Sequence, residues 1–337
     1  MARKNNKGGG KRQRAQQRAQ YDELDKYPVL PPHAFARIVR DKQTLNIIYQ
    51  IIEPPMTKKE QEQRDEILDI FIRSLTANIE EIDANPEAYV RTAMDKVIKA
   101  YGMKINKKSK SKIFYYLRRD LIGYGEMDVL MNDINVEDIS LDGTNVPIFA
   151  YHRKFESVET TCVWKTDHEL ESYVIKLAQR CGKHISVADP LLDATLMDGS
   201  RIVMKLGREV STRGSAFCIR RFKDDPFSPA DIVAFRTMSS LMVAYLWIAF
   251  QNEVPMLFVG GTASGKTTTL NAMCIFIPWQ MKIVSIESTR EVNIPQPNWV
   301  PGLTRQGFGG ESKDGVIGEF ELLKAALRER PEYIIVG

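Results

Sequence analysis

The sequence predicts an α/β protein whose C-terminal third is a parallel sheet covered by helices, preceded by a helical module and an α+β domain. Three observations predict it. Past residue 255, the short apolar runs MLFV, KIVSI and YIIV alternate with helical stretches, the pattern of a parallel sheet buried on both faces. Between residues 136 and 222, alternating segments break twice at Asp-Gly pairs, Asp142-Gly143 and Asp198-Gly199, which signals antiparallel hairpins. From Thr57 to Ile122, apolar residues recur at helical spacing.

The chain opens with a basic tail, taken as residues 1–25 and expected to be disordered. Its first twenty residues hold seven Lys or Arg and no acid, against a net charge of +4 for all 337 residues. Such a tail suits an anionic membrane face or nucleic acid. Residues 26–122 are expected to be mostly helical after a strand at Thr44–Ile52 that Glu53-Pro54-Pro55 closes. Thr57 with Glu60 three residues on is a capping box, and Ile67, Leu68, Phe71, Ile72 and Leu75 form the stripe behind it. Asn85-Pro86 opens a second helix, and residues 111–122 give a third.

An α+β domain is expected over residues 123–222. It contains the two hairpins, a strand at Val158–Trp164, a helix at His168–Cys181 and a strand at Ser215–Phe222. KDDPFSP, within residues 223–232, reads as a proline-stiffened linker. A helix near Ser228–Phe235 leads into the last segment, residues 233–337, which should carry a helix at Ser239–Gln251, strands at Met256–Val259, Lys282–Ile286 and Tyr333–Val336, and a helix at Gly318–Arg330. The ten apolar residues Leu241–Phe250 are expected to form a buried helix, being too few to span a bilayer. No apolar segment follows the charged N-terminus, so no signal peptide is read there. Cys162, Cys181, Cys218 and Cys274 make no C-x-x-C, and His33, His152, His168 and His184 are scattered; neither a zinc site nor a disulfide framework is suggested.

The chemistry centres on GGTASGKT, residues 260–267, which fits G-x-x-x-x-G-K-[ST]. An apolar strand run precedes it and TTTLNAMCIF follows as a helix, the context in which this loop cradles phosphate. Glycines let the backbone N–H groups and the helix N-terminus face the anion. Gly260, Gly261, Thr262, Ala263, Ser264, Gly265, Lys266, Thr267 and Thr268 are therefore the expected nucleotide-binding residues. Lys266 is expected at the β/γ oxygens and Thr267 at a Mg²⁺ ion, so ATP and Mg²⁺ are the implied cofactors. Glu287 ends the strand run KIVSI and lies at the carboxyl edge where ligands bind in open sheets; Glu291 is a weaker candidate. A second acid is expected after YIIV, where the sequence stops at Gly337, so a fragment truncated after that strand is expected. Arg201, Arg213, Arg220 and Arg221 form a third group, since a planar guanidinium suits transition-state phosphate.

These residues resemble the secretion ATPases of the type II/type IV superfamily, within it the archaeal branch that includes archaellum motor and pilus-assembly ATPases. The resemblance runs in order from YGEMDVLMND at Tyr124, through VEDISLDG, VPIFAYHRKFESV, LAQRCGKHIS, DATLMDGSRI and RGSAFCIRRFKDDPFSP, to VGGTASGKTTTLNAM, KIVSIESTREV, NWVPGLTRQG and LLKAALRERPEYIIVG. It implies a RecA-like P-loop ATPase core over residues 233–337, cytoplasmic homo-hexameric rings, and a membrane-embedded platform protein as partner. Lys266 and Thr267 match the Walker-A positions, Glu287 the acid of the "Asp box", and Arg201 and Arg220 lie in segments where N-domain arginines approach nucleotide. Three departures stand out. Ser288 replaces the usual Asp after that Glu, Met197 replaces a proline before Asp198-Gly199, and the later "His box" is absent. The four-cysteine zinc module of bacterial relatives is missing too, which favours the archaeal branch. Two other readings are open: a RecA-class nucleic-acid translocase, against which no basic-and-aromatic stacking surface is found, and a non-catalytic nucleotide-binding assembly module.

Overall fold

The computed structural model describes residues 20–74, 85–222, 226–261, 264–305 and 317–337. The chain divides into two compact units, residues 1–174 with 205–219, and residues 175–204 with 220–337. Most of the expected tail, Leu75, the linker residues 223–225, and Thr262 and Ala263 of the phosphate loop lie outside the described residues.

The first unit begins with two strands where tail and helix were expected, followed by the strand expected at Thr44–Ile52. β1 (Tyr21–Leu30), β2 (Ala34–Asp41) and β3 (Ile47–Ile52) form an antiparallel meander. β1 carries Asp22, Glu23, Asp25, Lys26 and Pro28 and shows little strand character by itself. It is held by pairing with β2, where Ala34, Ala36 and Ile38 are fully buried. As the first strand in the sheet order it is an edge, the position in which proline and charge are tolerated. Three helices follow: α1 (Lys58–Ser74), α2 (Pro86–Ala100) and α3 (Lys107–Leu121). The Thr57–Glu60 box forms in both directions, with Thr57 N–H donating to Glu60 Oε2 at 2.8 Å and Glu60 N–H to Thr57 Oγ1 at 3.3 Å. Asn85 caps α2 through Ala88 N–H. Ile67, Val90, Met94, Val97, Ile113 and Leu117 bury one core between the three helices.

After a 3₁₀ turn at Gly125–Met127 and the short α4 (Asp128–Asn132) come β4 (Val136–Leu141), β5 (Pro147–His152) and β6 (Glu156–Val163). With β9 (Ala216–Arg220) they extend the meander into one sheet, in the order β1-β2-β3-β6-β5-β4-β9. Ile48 and Tyr49 of β3 pair in parallel with Glu159 and Thr160 of β6, so residues 21–52 share a sheet with the hairpin domain instead of belonging to a helical module. Tyr27 and Tyr49 fasten the join by donating to the same oxygen, Asp133 Oδ2, at 2.6 Å each. The helix expected at residues 168–181 is α5 (Asp167–Arg180), with Leu170, Val174 and Leu177 buried.

The second unit contains the hairpin β7 (Leu191–Thr195) and β8 (Arg201–Lys205), turning at Asp198-Gly199, with Met197 exposed at its tip. α6 (Pro229–Ala234) starts in a Ser228–Asp231 capping box, and Ser239 caps α7 (Ser240–Gln251). The phosphate loop leads into α8 (Lys266–Cys274). β10 (Ile283–Glu287) is the central strand of a parallel sheet β11-β10-β12, with β11 (Trp299–Leu303) and β12 (Tyr333–Val336) on its flanks and α9 (Glu319–Ala326) packed on it.

Two expectations fail here. Met256–Val259 forms no strand: Met256 and Phe258 pack on the core, Leu257 and Val259 are exposed, and no ladder is made among the described residues. Apolar alternation reports which side chains seek burial, and a strand also needs a partner for its backbone. Nor is α7 a buried helix. Val243 and Phe250 are buried and Trp247 stacks on Phe276 at 5.1 Å, but Leu241, Tyr245 and Ile248 are 80%, 72% and 63% exposed. Ten successive apolar residues surround a helix, and the neighbouring core covers only one side. Among the described residues no helix is long and apolar enough to cross a membrane.

Candidate functional site

The site is built around the loop that precedes α8. A Cβ at Gly260 would come within 2.5 Å of Ser264 Oγ, so any other residue there would displace the Ser264 hydroxyl. Gly265 sits at φ +86° as the N-cap of α8, and no side chain caps that helix. Left-handed backbone without a Cβ penalty turns the loop into the helix, and the first-turn N–H groups stay free for an anion. Ser264 Oγ donates to Gly261 O at 2.8 Å, and Lys266 Nζ donates to the same carbonyl at 2.7 Å, which holds the ammonium across the loop. This cradle fits a phosphate group: it is glycine-lined where a Cβ would intrude, positively charged, and placed on a helix N-terminus.

Beside the loop lies a cavity of about 610 Å³, lined by Lys266, Thr267, Glu287, Ser288, Thr289 and Arg201 among others. Thr267 offers one hydroxyl, and no cluster of three His, Cys, Asp or Glu that could hold a metal occurs among the described residues. That donor set fits Mg²⁺, which is commonly bound through few protein ligands and substrate phosphates, and does not describe a dedicated metal cage.

Glu287 terminates β10 and is 1% exposed. Its Oε1 accepts from Glu291 N–H at 2.9 Å and Val292 N–H at 2.7 Å, which folds the chain after the strand back over it. Burial raises its pKa above the usual carboxylate value, and the two backbone donors oppose the shift. Glu287 is thus both a cavity-lining acid and the staple of its own loop. Glu291 also lines the cavity and faces Arg220 at 3.7 Å across an exposed pair.

The arginines separate. Arg201 pairs with Asp193 through two nitrogens and donates from Nη1 to Thr289 Oγ1 at 2.6 Å, which places it on the cavity wall beside the loop after β10. Arg220 is mostly exposed and does not line the cavity. Arg213 belongs to the first unit, where its carbonyl accepts from Thr144 N–H, and Arg221 is half-buried. The sequence reading missed Asn271 on α8, whose amide donates to Glu291 O at 2.8 Å and whose oxygen accepts from Asn293 N–H at 3.2 Å. It ties the helix after the phosphate loop to the loop after Glu287. Its only signal was a polar residue in the apolar stretch LNAM. Arg290 was missed as well; its guanidinium lies 5.2 Å from the Phe222 ring and 5.7 Å from Trp299.

A model of the family described as type II/IV secretion system protein matches residues 152–337, more than half of the chain. The chain belongs to this family. Its phosphate loop, Glu287 and Arg201 all fall within the matched residues. An uncharacterized protein of Methanocaldococcus jannaschii is 36% identical over 316 residues, which are 93% of this chain and 56% of the relative. The type IV secretion system protein VirB11 of Bartonella henselae is 28% identical over 216 residues, 54% of this chain and 59% of VirB11. The chain thus spans little more than half the length of these relatives. Among solved structures, the Legionella pneumophila ATPase DotB is similar with a TM-score of 0.38 at 17% identity, covering 62% of this chain and 56% of DotB. The mixed α/β class expected from the sequence is the class of the observed elements.

Proposed function

We propose that this chain is the nucleotide-binding part of a motor ATPase that binds ATP with Mg²⁺ and powers assembly or secretion of a type IV pilus-like or archaellum filament. The observation that carries the reading is that the uncapped, glycine-built cradle at Gly260–Gly265 adjoins a cavity on whose wall Lys266, Thr267, Glu287 and Arg201 are all found. Anion binding, metal coordination, water activation and charge stabilisation need those four groups. Lys266 and the first-turn N–H groups of α8 would bind the phosphates, with Thr262 and Ala263 completing the loop. Thr267 would hold Mg²⁺, which when bound neutralises phosphate charge. Glu287, its pKa raised by burial, would accept a proton from attacking water. Arg201, positioned by Asp193 and Thr289, would stabilise charge on the transferring group, and Arg220 would reach nucleotide only by leaving Glu291.

Family membership supports the motor class, and the Methanocaldococcus relative supports placing it in the archaeal branch. In this reading the protein works as a cytoplasmic homo-hexamer on the inner face of a membrane, with a membrane-embedded platform protein as partner and the basic tail on anionic lipid. The test is ATP turnover alongside binding of a fluorescent ATP analogue. Lys266→Ala is expected to weaken analogue binding and to lower turnover by roughly two to three orders of magnitude. Binding without turnover, in this chain and in the complete reading frame alike, would replace the motor by a non-catalytic nucleotide module.

A further inference from the structure

The first turns of α1 and α3 meet. Glu60, three residues past the N-cap Thr57, accepts from Ser109 Oγ at 2.7 Å, and Ser109 is the residue whose N–H is capped by Asn106 at 2.8 Å. Gln63 Nε2 reaches Lys104 O at 3.5 Å on the same side. Two helix N-termini therefore open at one end of the helical layer, and five lysines are exposed there, Lys58, Lys59, Lys104, Lys107 and Lys108, against one exposed acid, Glu62, a turn after Lys58. None of these five makes an ion pair among the described residues, whereas neighbouring Lys110 pairs with Asp95 and Lys112 with Glu60. α3 has no acid in its first turn, and the one in α1, Glu60, is buried in its cap. Helix N-termini favour acids in this position, so five unpaired lysines around two of them create positive potential that the fold itself does not use.

We propose that this patch is a docking surface for an anionic lipid bilayer. It stands independently of nucleotide chemistry, because it involves residues 57–109 of the first unit alone. Four to eight clustered basic residues on an amphipathic helical surface are the composition that binds acidic headgroups. Tyr101, 62% exposed at the end of α2 and three residues from Lys104, adds the amphipathic ring that settles at a membrane interface. Nucleic acid fits less well: a strand-binding surface presents a succession of aromatics along a groove, and one tyrosine stands here.

The test is co-sedimentation of the full chain with vesicles of phosphatidylglycerol and phosphatidylcholine, against vesicles of phosphatidylcholine alone, at low and moderate salt. Binding is expected to require phosphatidylglycerol and to weaken as salt rises. Replacing Lys58, Lys59, Lys107 and Lys108 by Gln is expected to lower vesicle affinity by roughly a hundredfold or more, with circular dichroism unchanged, and Arg at the same four positions to restore it. A parallel variant with the seven basic residues of the tail changed to Gln separates the two basic regions. The proposal is overturned if the four-Gln variant binds vesicles as the parent does, or if the parent ignores vesicles while the patch retains a single-stranded oligonucleotide or an acidic peptide.

Discussion

Glu60 and Glu287 are both buried carboxylates that accept backbone N–H bonds, and their environments shift them in opposite directions. Around Glu60 stand the N–H of Thr57, the hydroxyl of Ser109 and the ammonium of Lys112, and together they pull its pKa from 4.5 to about 2. Around Glu287 stand two backbone N–H groups and, among the described residues, no ion pair, and burial prevails, so its pKa is raised. Every lone pair of Glu60 is directed at the fold. Glu287 keeps one oxygen, Oε2, with only a weak 3.5 Å contact from Ser285 Oγ, on the wall of a cavity. A carboxylate fully answered by donors is a structural part; one left under-answered beside a phosphate cradle is chemically available.

Glu287→Gln tests that contrast with the largest expected effect. The Gln oxygen can accept from Glu291 and Val292 N–H as the carboxylate does, so the loop and nucleotide affinity should persist. Turnover in the assay above should fall by about 10²–10⁴-fold, the contribution of a positioned general base. Glu60→Gln should leave turnover unchanged. Equal turnover in the parent and Glu287→Gln would reduce Glu287 to a second Glu60, a staple with no chemical part.

Stability sharpens the same comparison with the reverse ranking. Glu60→Ala removes the reciprocal cap, leaves Ser109 Oγ without its acceptor and leaves Lys112 with the Pro55 carbonyl alone, a loss of about 2 kcal/mol in urea unfolding. Because the folded carboxyl titrates below its unfolded value, the Glu60 contribution is complete above pH 4.5 and disappears as pH falls through about 2. Parent and variant melting curves should therefore converge in acid. Glu287 has the opposite sign. Its raised pKa favours the folded state below the unfolded value and loses that contribution as pH rises through the folded one, so Glu287→Gln should stabilise the chain at neutral pH relative to acid.

What the sequence disclosed follows from how local each signal is. The capping box at Thr57–Glu60, the Asn85-Pro86 start, the helix near Ser228–Phe235 and the glycine spacing of the phosphate loop are contained within a few residues, and each is present in the structure. β1 was illegible because its strand state is supplied by β2 and by the distant Asp133 that Tyr27 reaches. β11 was missed too; Pro301 lies within it, and it is an edge strand. For Glu287, the position at a strand end could be read, but the N–H groups that enclose it come from residues four and five positions on, through a loop with no sequence signature. Likewise the residues that fix Arg201, Asp193 and Thr289, lie 8 and 88 positions away.

The smallest effect separates the two arginines carried over as candidates. Arg220 faces Glu291 at 3.7 Å with its side chain 68% exposed, and Glu291 is 39% exposed. In water such a pair is worth about 0.5 kcal/mol or less, so Arg220→Ala should leave the melting temperature almost unmoved. Arg201 is held by two bonds to Asp193 and one to Thr289, a fork geometry that Lys cannot reproduce. Arg201→Lys should therefore lower stability slightly more than Arg220→Ala does. Their kinetic behaviour is expected to reverse that narrow gap only if Arg220 moves: a fall in turnover for Arg220→Ala, with stability unchanged, would mean that Arg220 leaves Glu291 during the cycle. If turnover is also unchanged, the exposed pair is surface chemistry, and the arginine contribution to the site rests on Arg201.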